Sequence, residues 1–547
     1  ITLNKKKTLS PNEYDPILNI QYVGKPITIY LEGEAVNEKY FSYQNNYLKF
    51  NCTISECIIK LEWGTDISIN TFPYLNNEIT ESIIIDPELG EEIADIDATE
   101  MFKNCDTITI IDFTLYETQK IVNMSSTFES CTSLDKIIGL SLKNVNSFSR
   151  SFKDCVSLTE VGINDIEITN EALEINMEYM FSNCSNLQAL SWGNFDLTNI
   201  ISVDSMFLDC VTLKNVFINL NTEKVLNMNS MFENCHELES LDLSSFVGEK
   251  VTSTSRMFYE CYKLNCLKLQ NFTADNVVDM SYMFYNCTSL ISLDLNSLVA
   301  ENAENCQYLF YKCEHLETLE LNKFNTGNVT NMEYMFNGCV KLNSITLNNE
   351  IFIARNALKM NNMFQDCQSL INLDLSGFTF SPVTNLENMF ENCYLLKSII
   401  FSSFNIQNVK NMSYMFNNCY NLSSLVLDFF TLNNLEDMSY MFYNCHSLKS
   451  ITFNHFETSG VKDMSYMFTN CFSLEKVNLE TFTLTSNLEN MSYMFSNCSS
   501  VETLDLTKFQ TSYIVDMNSL FYNCNICWTY FSCSSSINLF SLFNEKC

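Results

Sequence analysis

One short phrase recurs along this chain and limits what it can fold into. Residues 411–419 read NMSYMFNNC; DMSYMFYNC stands at 279–287 and again at 437–445, NMEYMFNGC at 331–339 and NMSYMFSNC at 490–498. Aligned on the Cys that ends it, the phrase runs from Cys105 to Cys524 in 17 copies, and 11 of the 16 intervals are 26 residues. A period of about 20–50 residues marks a solenoid or propeller, because so short a unit buries its apolar face only against its neighbours. The 547 residues are therefore read as one long array with two distinct ends.

Within one period two patterns alternate. Met412, Met415, Phe416 and Cys419 fall at i, i+3, i+4 and i+7, the spacing of one face of a short helix. Asn411 stands where an N-cap belongs, and Asp279, Asp437, Asp463 and Asp516 take its place in other copies. The Phe three before the Cys is present in every copy, which predicts a stack of identical rings from coil to coil. After the Cys come Leu290, Leu293 and Leu295; the step from 293 to 295 is strand alternation. The expected fold is an α/β solenoid, with a parallel sheet on one face and capped helical turns on the other.

The joined pattern L-x-x-L-x-L-x-x-F and M-x-x-M-F-x-x-C resembles the BspA-like leucine-rich repeats. The resemblance covers residues 79–525. It implies a leucine-rich-repeat solenoid, an extracellular or cell-surface setting, and a role in adhesion or recognition. It carries no catalytic residue over to this chain.

The ends depart from the phrase. PITIYLEG (26–33), NYLKFNC (46–52) and CIIKLEW (57–63) read as strands, so residues 1–78 are expected to form a β-rich arm and capping domain. Residues 526–547 are expected to cap the last coil. The chain begins with Ile1 and shows no signal peptide, which is read as a processed or trimmed chain. No run approaches the ~18 apolar residues of a membrane span.

Composition excludes partners. A net charge of −34 leaves no basic face for nucleic acid, nor for an anionic membrane. No phosphate loop, nucleophile elbow, metal-binding His pair or EF-hand loop is written in the chain, so neither enzyme activity nor a cofactor is expected. The 17 column cysteines share the face of Met and Phe and read as buried small hydrophobes. Off the column, Cys52 and Cys57 bracket a hairpin-length segment, and Cys527, Cys533 and Cys547 crowd the C-terminal end; disulfides there would staple the ends in an oxidising compartment.

Four features are candidates for function. The residue between the two inward Leu of each strand forms a column through Asp242, Lys268, Asp294, Glu320, Thr346 and Asp374, giving way to Ile400 and Val426. Asp242, Asp294, Glu320 and Asp374 are the candidate ligand-binding residues, and neighbouring carboxylates such as Asp294 and Glu320 also fit glycoside hydrolysis, the least favoured reading. A second column, Tyr179 to Tyr493, reads as a coil-to-coil aromatic ladder or a stacking surface for sugars. Sequons at Asn271, Asn328 and Asn421, and also at Asn51 and Asn411, are candidate glycosylation sites. Lys5, Lys6 and Lys7 form a basic tip on an acidic chain, which suggests head-to-tail self-assembly into filaments. The function expected is that of a non-enzymatic structural or adhesive surface protein, with recognition of a glycan or protein by the strand face as the alternative.

Overall fold

The structure, a computed structural model, describes residues 96–525 apart from short loop segments, the longest 192–198, 429–433 and 505–513; of residues 1–95 it describes strands alone. The chain divides into two compact units, Ile1–Asn271 and Phe272–Cys547.

Each unit contains a run of parallel β-solenoid coils. In the first, strands Asn215–Phe217, Ser240–Asp242 and Cys266–Lys268 lie side by side, Asp242 in register with Lys268. In the second, Ser292–Asp294, Thr318–Leu321 and Ser344–Leu347 form one parallel run, Asn372–Asp374 pairs with Ser398–Ile400, and Ser424–Asp428 pairs with Ser450–Asn454, which pairs with Lys476–Val477. The strands are mostly three to five residues long, and those described to the side chain alternate exposed and buried positions: Leu293, Leu319, Leu373 and Ile399 point inward.

The face opposite the strands corrects the helix expectation. Among the described residues the phrase forms no helix. It is a chain of tight turns instead. In one copy Met283, Tyr285 and Cys287 donate their N–H groups three residues back, to Met280, Tyr282 and Phe284. The intervening N–H groups leave the coil: those of Met280, Tyr282, Phe284 and Asn286 donate to the carbonyls of Asn305, Gln307, Leu309 and Tyr311 in the next coil at 2.8–3.0 Å. An α-helix would spend every N–H within itself, whereas here every second one joins two coils. The turns require left-handed residues, and each copy has two, five and one before the Cys: Tyr282 at φ +60° and Asn286 at φ +57°, for example. The apolar set still faces inward, Met280, Met283, Phe284 and Cys287 all being fully buried, because successive three-residue turns return the chain to the core at nearly the helical spacing.

Asn411 and Asp437 do cap, but each caps a turn: Asn411 Oδ1 accepts the Ser413 N–H at 2.8 Å, and Asp437 Oδ1 accepts that of Ser439 at 2.8 Å. The conserved-in-register Phe forms the expected stack. Its rings run from Phe102 to Phe258 in the first unit and from Phe284 to Phe521 in the second, centroids 5.1–6.0 Å apart.

Strands Thr28–Leu31, Tyr47–Phe50 and Cys57–Glu62 stand where the sequence places them. Thr80–Ile84 joins two kinds of pairing: it is antiparallel to Thr2–Lys5 and parallel to Ile110–Asp112. Thr2–Lys5 is also paired on its other edge with Cys57–Glu62.

Candidate interaction surface

The strand face carries the candidate acids, but not as one site. Asp242 lies in the first unit and Asp294, Glu320 and Asp374 in the second. Asp294 and Glu320 are lateral neighbours, in register with each other and with Thr346, while Asp374 is in register with Ile400. Three of the acids also have local work at the strand end. Asp242 accepts the N–H of Ser244 at 3.1 Å, Asp294 that of Asn296 at 3.0 Å and Asp374 that of Ser376 at 2.9 Å. Each closes an Asx turn that takes the chain out of the sheet. The Lys268 ammonium, 2.7 Å from Asp242, together with the Ser244 hydrogen bonds, holds the Asp242 carboxyl at about 2. Hydrogen bonding within its turn likewise lowers Asp374. Among the described residues no group of three or more His, Cys, Asp or Glu could hold a metal ion.

Beyond Asp374 the column turns apolar. Ile400 is 55% exposed and Val426 59%. Ile400 is in register with Asp374, and Val426 with Thr452. Sequence reasoning passed over the flanking columns. One is a run of small polar residues, Ser292, Thr318, Ser344, Asn372, Ser398, Ser424 and Ser450. The other, immediately before it, holds Ile291, Glu317, Ile371, Lys397 and Lys449. The signal was present, since each position keeps a constant offset from its Cys.

The Tyr column is a ladder. Rings of Tyr282, Tyr308 and Tyr334 stack at 4.8 and 4.6 Å, and those of Tyr414, Tyr440, Tyr466 and Tyr493 at 4.6, 4.5 and 4.8 Å. Ring faces in contact with one another are closed to a sugar, so the interior of each ladder offers only ring edges. Burial raises the hydroxyls of Tyr308 and Tyr440 to about 12.

The sequon side chains are also used between coils. Asn271 Nδ2 donates to the Ser244 carbonyl at 2.6 Å and Asn328 Nδ2 to that of Glu301 at 3.1 Å, both on the exposed surface. Asn421 is half-buried in a turn. Asn411 Nδ2 donates to Glu387 at 3.2 Å. Asn51 lies outside the described residues, as do Cys52, Cys527, Cys533, Cys547, Lys6 and Lys7; Cys57 and Lys5 are described only as strand residues. The column cysteines are free thiols directed along the stack: Cys419 Sγ donates to the Phe390 carbonyl at 3.3 Å and Cys445 Sγ to that of Phe416 at 3.2 Å.

The family described as "Mycoplasma protein of unknown function, DUF285" matches residues 96–189, 175–297, 289–400, 358–481 and 437–536. No curated protein matches the chain. Among solved structures, a leucine-rich repeat protein from Bacteroides ovatus is similar at 15% identity over 79% of this chain and 89% of its own, with a TM-score of 0.38. A leucine rich cell surface protein from Faecalibacterium prausnitzii matches at 17% over 75% and 89%, TM-score 0.27. A leucine-rich repeat protein from Eubacterium ventriosum matches at 14% over 84% and 91%, TM-score 0.25.

Proposed function

We propose, taking as premise that the chain belongs to the DUF285 family, that it is a non-enzymatic protein of the cell surface or secreted space that works by binding through its strand face. The observation that carries this reading is the exposure of Ile400 and Val426 on strands Ser398–Ile400 and Ser424–Asp428 of successive coils. Contiguous exposed apolar patches mark places where another molecule sits, and these two side chains are taken as the seed of one. The BspA-like resemblance of the repeat supports an adhesive role, and the sequons support an extracellular one. The paired strands spend their backbone groups on neighbouring coils, so specificity falls to the outward side chains.

The test is adhesion of the intact chain, coupled to inert beads, to protein-coated surfaces and to a glycan array. Ile400→Lys together with Val426→Lys should abolish capture while leaving the thermal midpoint unchanged. Capture that survives both substitutions removes the strand face from the mechanism. The alternative of a carbohydrate-active enzyme is supported only by the neighbouring Asp294 and Glu320; it requires hydrolysis that disappears in Asp294→Asn or Glu320→Gln.

A further inference from the structure

The strand face of the second unit reverses its charge along the stack. At its N-terminal end the outward positions hold Asp294, Glu317 and Glu320, with no base among the outward residues of strands Ser292–Asp294, Thr318–Leu321 and Ser344–Leu347. From Ser398–Ile400 to Lys476–Val477 they hold Lys397, Lys449 and Lys476, with Glu475 the one acid among the side chains described there, and the exposed Ile400 and Val426 stand among them. Among the described residues these three lysines make no ion pair, whereas Lys268, Lys359 and Lys462 are each 2.6–3.2 Å from a carboxylate on an adjacent coil. Unpaired cations on the ordered face of a chain of net charge −34 are conspicuous.

We infer that this face binds a second copy of the chain in antiparallel fashion, about a two-fold axis lying between strands Asn372–Asp374 and Ser398–Ile400. An isologous contact requires a surface complementary to itself, each residue i meeting j while j meets i. A face that is acidic at one end and basic at the other meets that condition when the second copy is reversed along the stack. Counting coils outward from the axis, Ile371 and Asp374 meet the coil of Lys397 and Ile400. Thr346 meets Val426, Glu317 meets Lys449, and the coil of Asp294 meets that of Lys476. The inference rests on the reading of the strand face as the working surface.

The contact is small. Seven steps of about 4.8 Å give a strip ~34 Å long. At a width of three outward columns it buries about 1,000 Å² in total, near the lower limit for a specific interface. The dimer is therefore expected to depend on concentration and to weaken steeply with salt.

The experiment is sedimentation velocity on the full chain across a concentration series, at low and at high salt, with Lys449→Glu, Glu317→Lys and the double variant. The wild-type chain should dimerise at low salt and dissociate at high salt. Each single reversal should weaken the dimer by about tenfold or more, and the double variant should restore it, because the swapped charges meet again. Circular dichroism of each variant establishes that it is folded. A chain monomeric at every concentration overturns the inference, and so does a dimer untouched by the single reversals or not rescued by the swap. Bead adhesion lost in Ile400→Lys by a chain that stays monomeric sinks the dimer and keeps the proposed function; a dimer that obeys the swap while adhesion is unaffected by Ile400→Lys does the reverse.

Discussion

Phe416 and Tyr414 stand two residues apart and do different work. Phe416 is fully buried, its ring between those of Phe390 and Phe442 at 5.3 Å each. Tyr414 is half-buried, stacked on Tyr440 at the surface. Phe416→Ala should cost about 3–5 kcal/mol, as for a core aromatic, and Tyr414→Ala clearly less; urea midpoints of the two variants decide it. Asn444 tests the turn against the helix. It sits at φ +61°, and its side chain links two coils, donating to Asn418 at 2.7 Å and accepting from Asn470 at 2.6 Å. Alanine loses those links and carries a Cβ in the left-handed region, a penalty of about 1–2 kcal/mol; glycine loses the links alone. Asn444→Ala should therefore be less stable than Asn444→Gly. In a helix the order is reversed, with Gly worse by about 1 kcal/mol, so chemical denaturation of the pair reads the backbone directly.

At the level of the single element, each coil is held to its neighbours by side chains as well as by backbone. The Asp242–Lys268 pair joins two strands of the first unit across an open surface. Its folded carboxyl sits at about 2, below the ~3.9 of a free Asp. A depressed carboxyl contributes stability above the unfolded value and loses it as pH falls toward the folded one. The stability difference between the native chain and Asp242→Asn should thus shrink from about pH 4 to about pH 2, and it should be modest and salt-sensitive because both groups are exposed. A difference unchanged over that window, followed by thermal melts, would mean that the carboxylate acts through its Asx turn alone. Gly338 marks a tighter constraint in the second unit. It takes the left-handed position at φ +74°, and an added Cβ would lie 2.9 Å from Lys312 Cγ, so Gly338→Val should destabilise where most surface changes do not.

Over the whole molecule the most repeated titratable group is the column thiol. Burial raises Cys184, Cys261, Cys393 and Cys445 above the ordinary thiol, and Cys339 to about 12. An unfolded thiol loses its proton near 8.5. A raised group contributes stability that is intact below the unfolded value and is lost as pH rises toward the folded one. Stability should fall from about pH 8.5 upward, steeply because many equivalent thiols act together, with the Tyr hydroxyls adding to the fall at higher pH. Thermal midpoints measured between pH 7 and 11 test this, and a flat profile would contradict a buried protonated ladder. The same thiols should resist labelling in the folded chain and react once it is unfolded. Head-to-tail assembly through Lys5, Lys6 and Lys7 remains a separate proposal. Deleting residues 1–20 should abolish any filament seen by light scattering at low salt, and filaments that persist would remove the basic tip from the assembly.

The sequence by itself determined the array. A phrase with one Phe and one Cys at constant offsets can bury those groups only by repetition, so the solenoid, the ring stack and the outward column of Asp294, Glu320 and Ile400 were all readable from spacing. It did not determine how the phrase runs through space. Inward residues at i, i+3, i+4 and i+7 suit both a helix and a series of tight turns, and the choice depends on where each N–H finds its acceptor. Only the stacked coils supply the carbonyls of Asn305, Gln307, Leu309 and Tyr311 to the alternate N–H groups of the preceding coil. With those bonds available between coils, Tyr282 and Asn286 take up left-handed conformations that no isolated helix would hold. The tertiary structure likewise decided that the Tyr rings cover one another's faces, because closing a ring face needs a neighbour one coil away.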